Sequence, residues 1–210
     1  MRRDARPGLE GGAVISFQEL VSQAADLDEA AFVAAHPAPG LILEPFAATS
    51  DDLGETGVYF APGFEQKKVT RRLARPARGL DLAPPIRRTS EQFVHPDATV
   101  AWVAPAGGRR GATRLTLGRA PSNDVVVPNA HVSRVQAVLH PQGDGWLIED
   151  PESRNGTRCD GELLPTNSRS PLRDGAALTL GEAVLAKFFT AASLYRFCKL
   201  VRSMQENRRG

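Results

Sequence analysis

After His95 the chain alternates short apolar runs with turn-forming residues. TVAWVAP, ATRLTLGR, DVVVP, VQAVLH, WLIED, ALTL and AVLAKFF are separated by stretches such as AGGRRG, APSN, PQGDG, PESRNG and LRDG. Many short strands at close spacing, punctuated by Gly, Asn, Asp and Pro, predict an all-β sandwich or barrel. The N-terminal part has a different period. In SFQELVSQAADLDEAAFVAAHPAPG, Phe17, Leu20, Val21 and Ala24 recur at helical spacing, and Ser16 with Glu19 is a capping-box arrangement. Asp26 and Glu29 offer a second helix start. AHPAPG then stops the helix, because proline excludes the α region for the residue before it, and LILEPF predicts a short strand. At the other end, AASLYRFCKLVRSMQ places Leu194, Phe197, Leu200, Val201 and Met204 on one stripe. This is an amphipathic helix expected to pack back onto the sandwich.

These patterns divide the chain into a small N-terminal α+β element (1–46), a Pro/Gly/Arg-rich linker (47–95), a β-sandwich domain (96–190) and a C-terminal amphipathic helix and tail (191–210). An apolar content of 41% in 210 residues supports a real core and argues against wholesale disorder. Net charge is only +2, but it is unevenly placed. Between Pro7 and Gln66 there are ten Asp and Glu and no Lys or Arg, whereas Lys67 to Arg88 carries eight basic residues and only Asp81. A run of this kind reads as a solvated linker. Docking onto the acidic N-terminal part and contact with nucleic acid are the alternatives, and no interleaved aromatics support the second. Nucleic acid is therefore not an expected partner. The basic start MRRDARPGLEGG has no apolar region after it, and no apolar run approaches the ~20 residues that span a bilayer. With only Cys159 and Cys198, far apart and without metal-ligand spacing, the expectation is a cytoplasmic protein that contacts no membrane and needs no metal or cofactor.

The polar residues of the β region admit two chemistries. In NAHVSRVQAVLH, His131 and Ser133 are two apart on an extended segment, which turns both side chains to one face. A nucleophile also needs an oriented base and an oxyanion hole. No nucleophile elbow, phosphate-loop lysine or zinc-binding histidine pair occurs, and His36, His95, His131 and His140 are scattered. An enzyme is not expected. The other chemistry is anion binding. Gly118-Arg119 ends one strand, Ser133-Arg134 precedes another, and Ser153 to Thr157 (SRNGT) makes the turn after LIED. Arginines, a hydroxyl and an amide converging from three loops supply charge-assisted donors for a phosphate and a clamp for a peptide backbone.

Taken in order, GRAPSNDVVVPNAHVSRVQAVL, WLIEDPESRNGTRCDGELL and LRDGAALTLGEAVLAKF closely resemble the forkhead-associated (FHA) domain. The family pattern is Gly-Arg, a loop with Asn-Asp and an apolar triplet, Ser-Arg opening the next strand, then Asp-x-x-Ser-x-Asn-Gly-Thr and Leu-x-Asp-Gly. The resemblance covers roughly Asp97 to Thr190, under half of the chain. It implies a mostly β fold, an eleven-stranded FHA-type sandwich flanked by the N-terminal α+β element and the C-terminal helix, that binds phosphothreonine peptides without catalysis. By the same resemblance Arg119 contacts the phosphate, as does Ser133 through its hydroxyl and backbone amide, with Arg134 beside them. Asn155 holds the peptide main chain, Arg154 flanks it, and His131 lies where family members read the third residue after the phosphothreonine. Gly118, Gly156 and Thr157 are structural. Where the family has a histidine that buttresses the loops, this chain has Gln136, which offers both a donor and an acceptor. Ala176 follows Asp174-Gly175 where an acidic residue is common.

The implied role is an adaptor in signalling, with a phosphothreonine protein as partner and a Ser/Thr kinase upstream. The alternative is a phosphate-independent interaction scaffold built on the same sandwich. Thr56, in DDLGETG, and Thr89, after two arginines, are candidate phosphosites that the chain's own site could capture.

Overall fold

Strand pairing draws the two ends of the sequence into one sheet. The computed structural model describes residues 14–44, 95, 97–108, 111–182 and 184–207. Thr56, Thr89 and the basic run from Lys67 to Arg88 lie outside the described residues. The elements are β1 (Val14–Ser16), α1 (Phe17–Asp26), α2 (Glu29–Ala35), β2 (Gly40–Leu43), β3 (Thr99–Trp102), β4 (Leu115–Gly118), β5 (Val125–Val126), β6 (Ala137–Gln142), β7 (Gly145–Glu149), β8 (Thr157–Cys159), β9 (Glu162–Leu163), β10 (Arg169–Leu172), β11 (Ala177–Leu180), β12 (Val184–Phe189) and α3 (Ala191–Asn207). A seven-stranded sheet runs β1-β3-β2-β12-β11-β8-β9 and faces a five-stranded sheet, β10-β7-β6-β4-β5. The fold is a mostly β sandwich with a C-terminal helix, as the sequence pattern predicts.

Side-chain alternation builds the core between the sheets. Leu41 and Leu43, Leu178 and Leu180, and Ala186 and Phe188 point inward from the larger sheet to meet Leu115, Leu117, Leu139 and Ile148 of the smaller one. Full burial of a side chain of this size is worth roughly 1.5–3 kcal/mol, so this layer dominates stability.

A second core lies on the opposite face of the larger sheet. Ile42, Val100 and Trp102 point outward and are covered by Phe17, Leu20 and Val21 of α1, Phe32 of α2, and Leu194, Cys198 and Val201 of α3. The C-terminal helix reaches the sandwich together with α1 and α2. Arg196 pairs with Glu29 at 2.8 Å, and the Tyr195 hydroxyl donates to the Leu27 carbonyl at 3.0 Å. Molecular layers are therefore three: helices, seven strands, five strands.

The N-terminal part is drawn as a separate element by its sequence, yet β2 pairs with both β3 and β12. All four β2 residues are buried, because one face meets the sandwich core and the other the helices. A short run buried on both faces has no alternation to reveal its neighbours. Helix starts also differ in detail. Ser16 makes no side-chain cap bond; it belongs to β1, opposite Thr99, and the Phe17 N–H is satisfied by the Ala98 carbonyl at 2.8 Å. The second helix is capped by Asp28, whose carboxylate accepts from the Ala31 N–H at 2.8 Å. Among the described residues no helix is long and apolar enough to cross a membrane.

Candidate functional site

Three loops meet at one end of the sandwich, where β4 and β7 end and β6 and β8 begin. The first follows β4. Here the Arg119 N–H donates to the Ser133 carbonyl at 3.0 Å and the Ala120 N–H to the Arg134 carbonyl at 3.2 Å. That approach requires glycine at 118, since a Cβ there would lie 2.4 Å from the Arg134 carbonyl oxygen. Asn123, 3% exposed, adds a tie between the same two loops, with its amide donating to Ala120 O at 2.8 Å and Arg134 O at 2.6 Å. Its neighbour Asp124 anchors the loop to β4 by accepting from the Thr116 N–H at 2.8 Å and from the Ala106 N–H at 2.9 Å.

The second loop, between β5 and β6, carries His131, Ser133 and Arg134. The third, between β7 and β8, carries Ser153, Arg154, Asn155 and Gly156. An Asx-type turn shapes the third: the Asp150 carboxylate accepts from the Ser153 N–H at 2.6 Å and its hydroxyl at 2.7 Å. Gly156 completes the turn at φ +75°, a conformation that disfavours side chains. Its carbonyl accepts from the Gly181 N–H at 3.1 Å, which ties in the loop between β11 and β12.

Gln136 locks the second loop to the third. It is wholly buried, and its Oε1 accepts from the Ser133 N–H at 2.9 Å. Its Nε2 lies 2.8 Å from Ser153 Oγ, 2.9 Å from the Gly156 carbonyl and 2.9 Å from Thr157 Oγ1. Two amide protons are shared among three acceptors, while the Thr157 hydroxyl donates back to the Gln136 carbonyl at 3.2 Å. One consequence differs from the sequence expectation. The Ser133 amide is engaged inside the protein, so that residue presents its hydroxyl alone. The hydroxyl oxygen accepts from the Arg154 N–H at 2.9 Å, leaving its proton for an outside acceptor.

Around this frame the side chains of Arg119, Arg134 and Arg154 are exposed. Among the described residues none of the three forms an ion pair or a side-chain hydrogen bond, and neither does the half-buried Asn155 amide. His131 is half-buried, its N–H held by Asn129 Oδ1 at 2.9 Å. The structure thus brings the candidate phosphopeptide-site residues into adjoining loops, on backbone hydrogen bonds linking 119 to 133 and 120 to 134 and on the bond from the Arg154 N–H to the Ser133 hydroxyl. Sequence reasoning missed the residues that hold these loops: Asn123, Asp150, Ser153 and Gly181. The Asp-x-x-Ser spacing was the available signal for two of them.

Other chemistry is poorly served. Burial pushes the Cys159 thiol up to about 11, with Asp160 adding to the effect, and the Cys198 thiol up to about 12, so neither offers a thiolate at neutral pH. Among the described residues no group of three or more His, Cys, Asp or Glu is placed to hold a metal ion.

A family model described as "FHA domain" matches residues 115–181, the segment that contains all three loops. Residues 115–181 form an FHA domain. The FHA segment is 33% identical over 85 residues to the FHA domain-containing protein FhaB of Mycolicibacterium smegmatis, covering 37% of this chain and 54% of that one. It is 39% identical over 71 residues to the ABC transporter ATP-binding/permease protein Rv1747 of Mycobacterium tuberculosis, covering 34% of this chain and 8% of the transporter. The chain therefore spans about half the length of the first relative and a small part of the second. Among solved structures, Mycobacterium tuberculosis EmbR in complex with a low-affinity phosphopeptide matches at 30% identity and a TM-score of 0.34, over 40% of this chain and 22% of EmbR.

Proposed function

We propose that this FHA domain binds phosphothreonine peptides, without catalysis, as an adaptor downstream of a Ser/Thr kinase. The observation that carries this reading is a set of donors that are unpaired among the described residues, on loops that are themselves tied: three guanidiniums, the Ser133 hydroxyl and the Asn155 amide. A phosphate dianion takes charge-assisted bonds from Arg119, from Ser133 Oγ and from Arg134. The Asn155 amide, with one donor pair and one acceptor, pairs with the main chain beside the phosphothreonine, and Arg154 flanks it. His131 faces the residue three positions on. Preorganisation favours affinity here, because loops already fixed by Gln136 and Asn123 lose little freedom on binding.

Titration of the whole chain with a fluorescent phosphothreonine peptide library tests the proposal. A hydrogen bond to a charged group is worth about 1.5–3 kcal/mol, so Arg119→Ala should weaken binding at least about tenfold. Equal binding by Arg119→Ala would remove the site assignment. Equal binding of phosphorylated and unphosphorylated peptides by the parent would favour a phosphate-independent scaffold instead.

A further inference from the structure

Among the described residues the helices pack on β1, β3, β2 and Phe189 of β12 in the seven-stranded sheet. No described residue of β11, β8 or β9 belongs to that second core, and cross-strand register places four side chains in a row on the same outer face: Leu185 opposite Thr179, Thr179 opposite Arg158, and Arg158 opposite Leu163. Directly opposed residues share a face. The alternate residues Leu178, Leu180 and Thr157 are buried on the inner side, so the row faces out.

Two members of this row have unmet capacity. Leu163, at the sheet edge, is 56% exposed, one of four large apolar side chains so exposed among the described residues. It is not remote from the loops: a Cβ on Gly156 would lie 2.6 Å from Leu163 Cδ1, so the leucine rests on the turn that presents Asn155. Arg158 donates only to the Gly161 carbonyl, at 3.3 Å, and pairs with no carboxylate among the described residues. An apolar step followed by an unpaired cation leads away from the Asn155 turn, continuous with the loop site.

We infer that Leu163 and Arg158 form a specificity-determining subsite for the bound phosphopeptide, taking an apolar residue on Leu163 and an Asp or Glu at Arg158. The inference rests on the phosphothreonine reading of the loops. It adds the ligand class: phosphothreonine segments whose flank beside Asn155 carries an apolar and an acidic side chain. Peptide that leaves the phosphate over the 155–157 turn meets Gly156 and Leu163 first, where apolar burial is available, and Arg158 next. Arg158 sits opposite half-buried Thr179, which lowers the local dielectric and strengthens its attraction for a carboxylate.

The test compares the full chain with Leu163→Ser and Arg158→Gln in binding to a phosphothreonine library varied at the flanks. For the parent, peptides with the apolar-acidic flank should bind about three- to tenfold more tightly than alanine-flanked ones. In Leu163→Ser the ratio for the apolar position should fall to near one, and in Arg158→Gln the ratio for the acidic position should do the same. Leu163→Met, which restores apolar reach, should recover the first ratio, a result that mere loop damage would not give. Unchanged ratios in both variants, with phosphate dependence intact, would overturn the subsite while leaving the phosphothreonine reading standing. A parent that ignores phosphorylation would overturn both.

Discussion

The carboxamide of Gln136 joins the Ser133 amide on one loop to Ser153, Gly156 and Thr157 on another, with no exposure to solvent. A neutral amide does this without a titrating group, and it decides which part of Ser133 faces a ligand. Gln136→Met keeps the volume and removes both halves of the bridge, stranding the Ser133 N–H and part of the Thr157 hydroxyl's pairing. An unsatisfied buried group costs roughly 1–3 kcal/mol, so the urea midpoint should fall accordingly at unchanged slope. Phosphopeptide affinity should fall with it, as the loop carrying Ser133 loosens. The candidate site residues were legible in the sequence through their resemblance to the FHA pattern, in which arginines, a serine and an asparagine recur at turns in that order. The ties between them were not, since a hydrogen bond from position 123 to 134, or from 136 to 156, leaves no periodic trace. Nor does the sequence show that Gln136 bridges two loops, since its partners at 153, 156 and 157 are remote in the chain.

At the level of elements, the helical layer depends on a few aromatic contacts. His36, just after α2, stacks on Trp102 of β3 with ring centroids 4.8 Å apart and planes 5° from parallel, and Phe32 packs at 4.8 Å on it. Its buried Nδ1 has no hydrogen-bond partner among the described residues, and burial holds its pKa below the ordinary 6.5. A lowered folded-state pKa means the unfolded chain binds the proton more readily, so His36 takes stability away as pH falls from 6.5 toward its folded value. Thermal unfolding at pH 7.5 and 5.5 checks this: His36→Gln should narrow the difference between the two midpoints. An unaltered difference would show that other groups set the acid sensitivity. Helix periodicity predicted α1 and α3 from their apolar stripes. It could not show that the two stripes meet over β3 and β2, because a stripe names a face and not its partner.

For the molecule as a whole, β2, an interior strand of the larger sheet, comes from the far side of residues 45–94. A fragment of residues 96–190 would leave β3 and β12 without the strand between them and expose Val100, Trp102 and Phe189. It should show no cooperative thermal transition, whereas a chain that also retains 14–44 and 191–207 should; near-native unfolding of the short fragment would contradict this. The sandwich was readable from short runs and turns, but the continuity of the N-terminal part with it was not, because strand pairing across so many residues has no local signature. The same pairing has an entropic corollary. Leu43 lies opposite Thr99, so the chain departs and returns at adjacent points on neighbouring strands. The cost of closing such an interval rises only with the logarithm of its length, about 0.6 kcal/mol for each doubling. Doubling the interval between residues 45 and 94 should therefore lower the stability of the sandwich by only about 0.6 kcal/mol, a shift that urea unfolding would read.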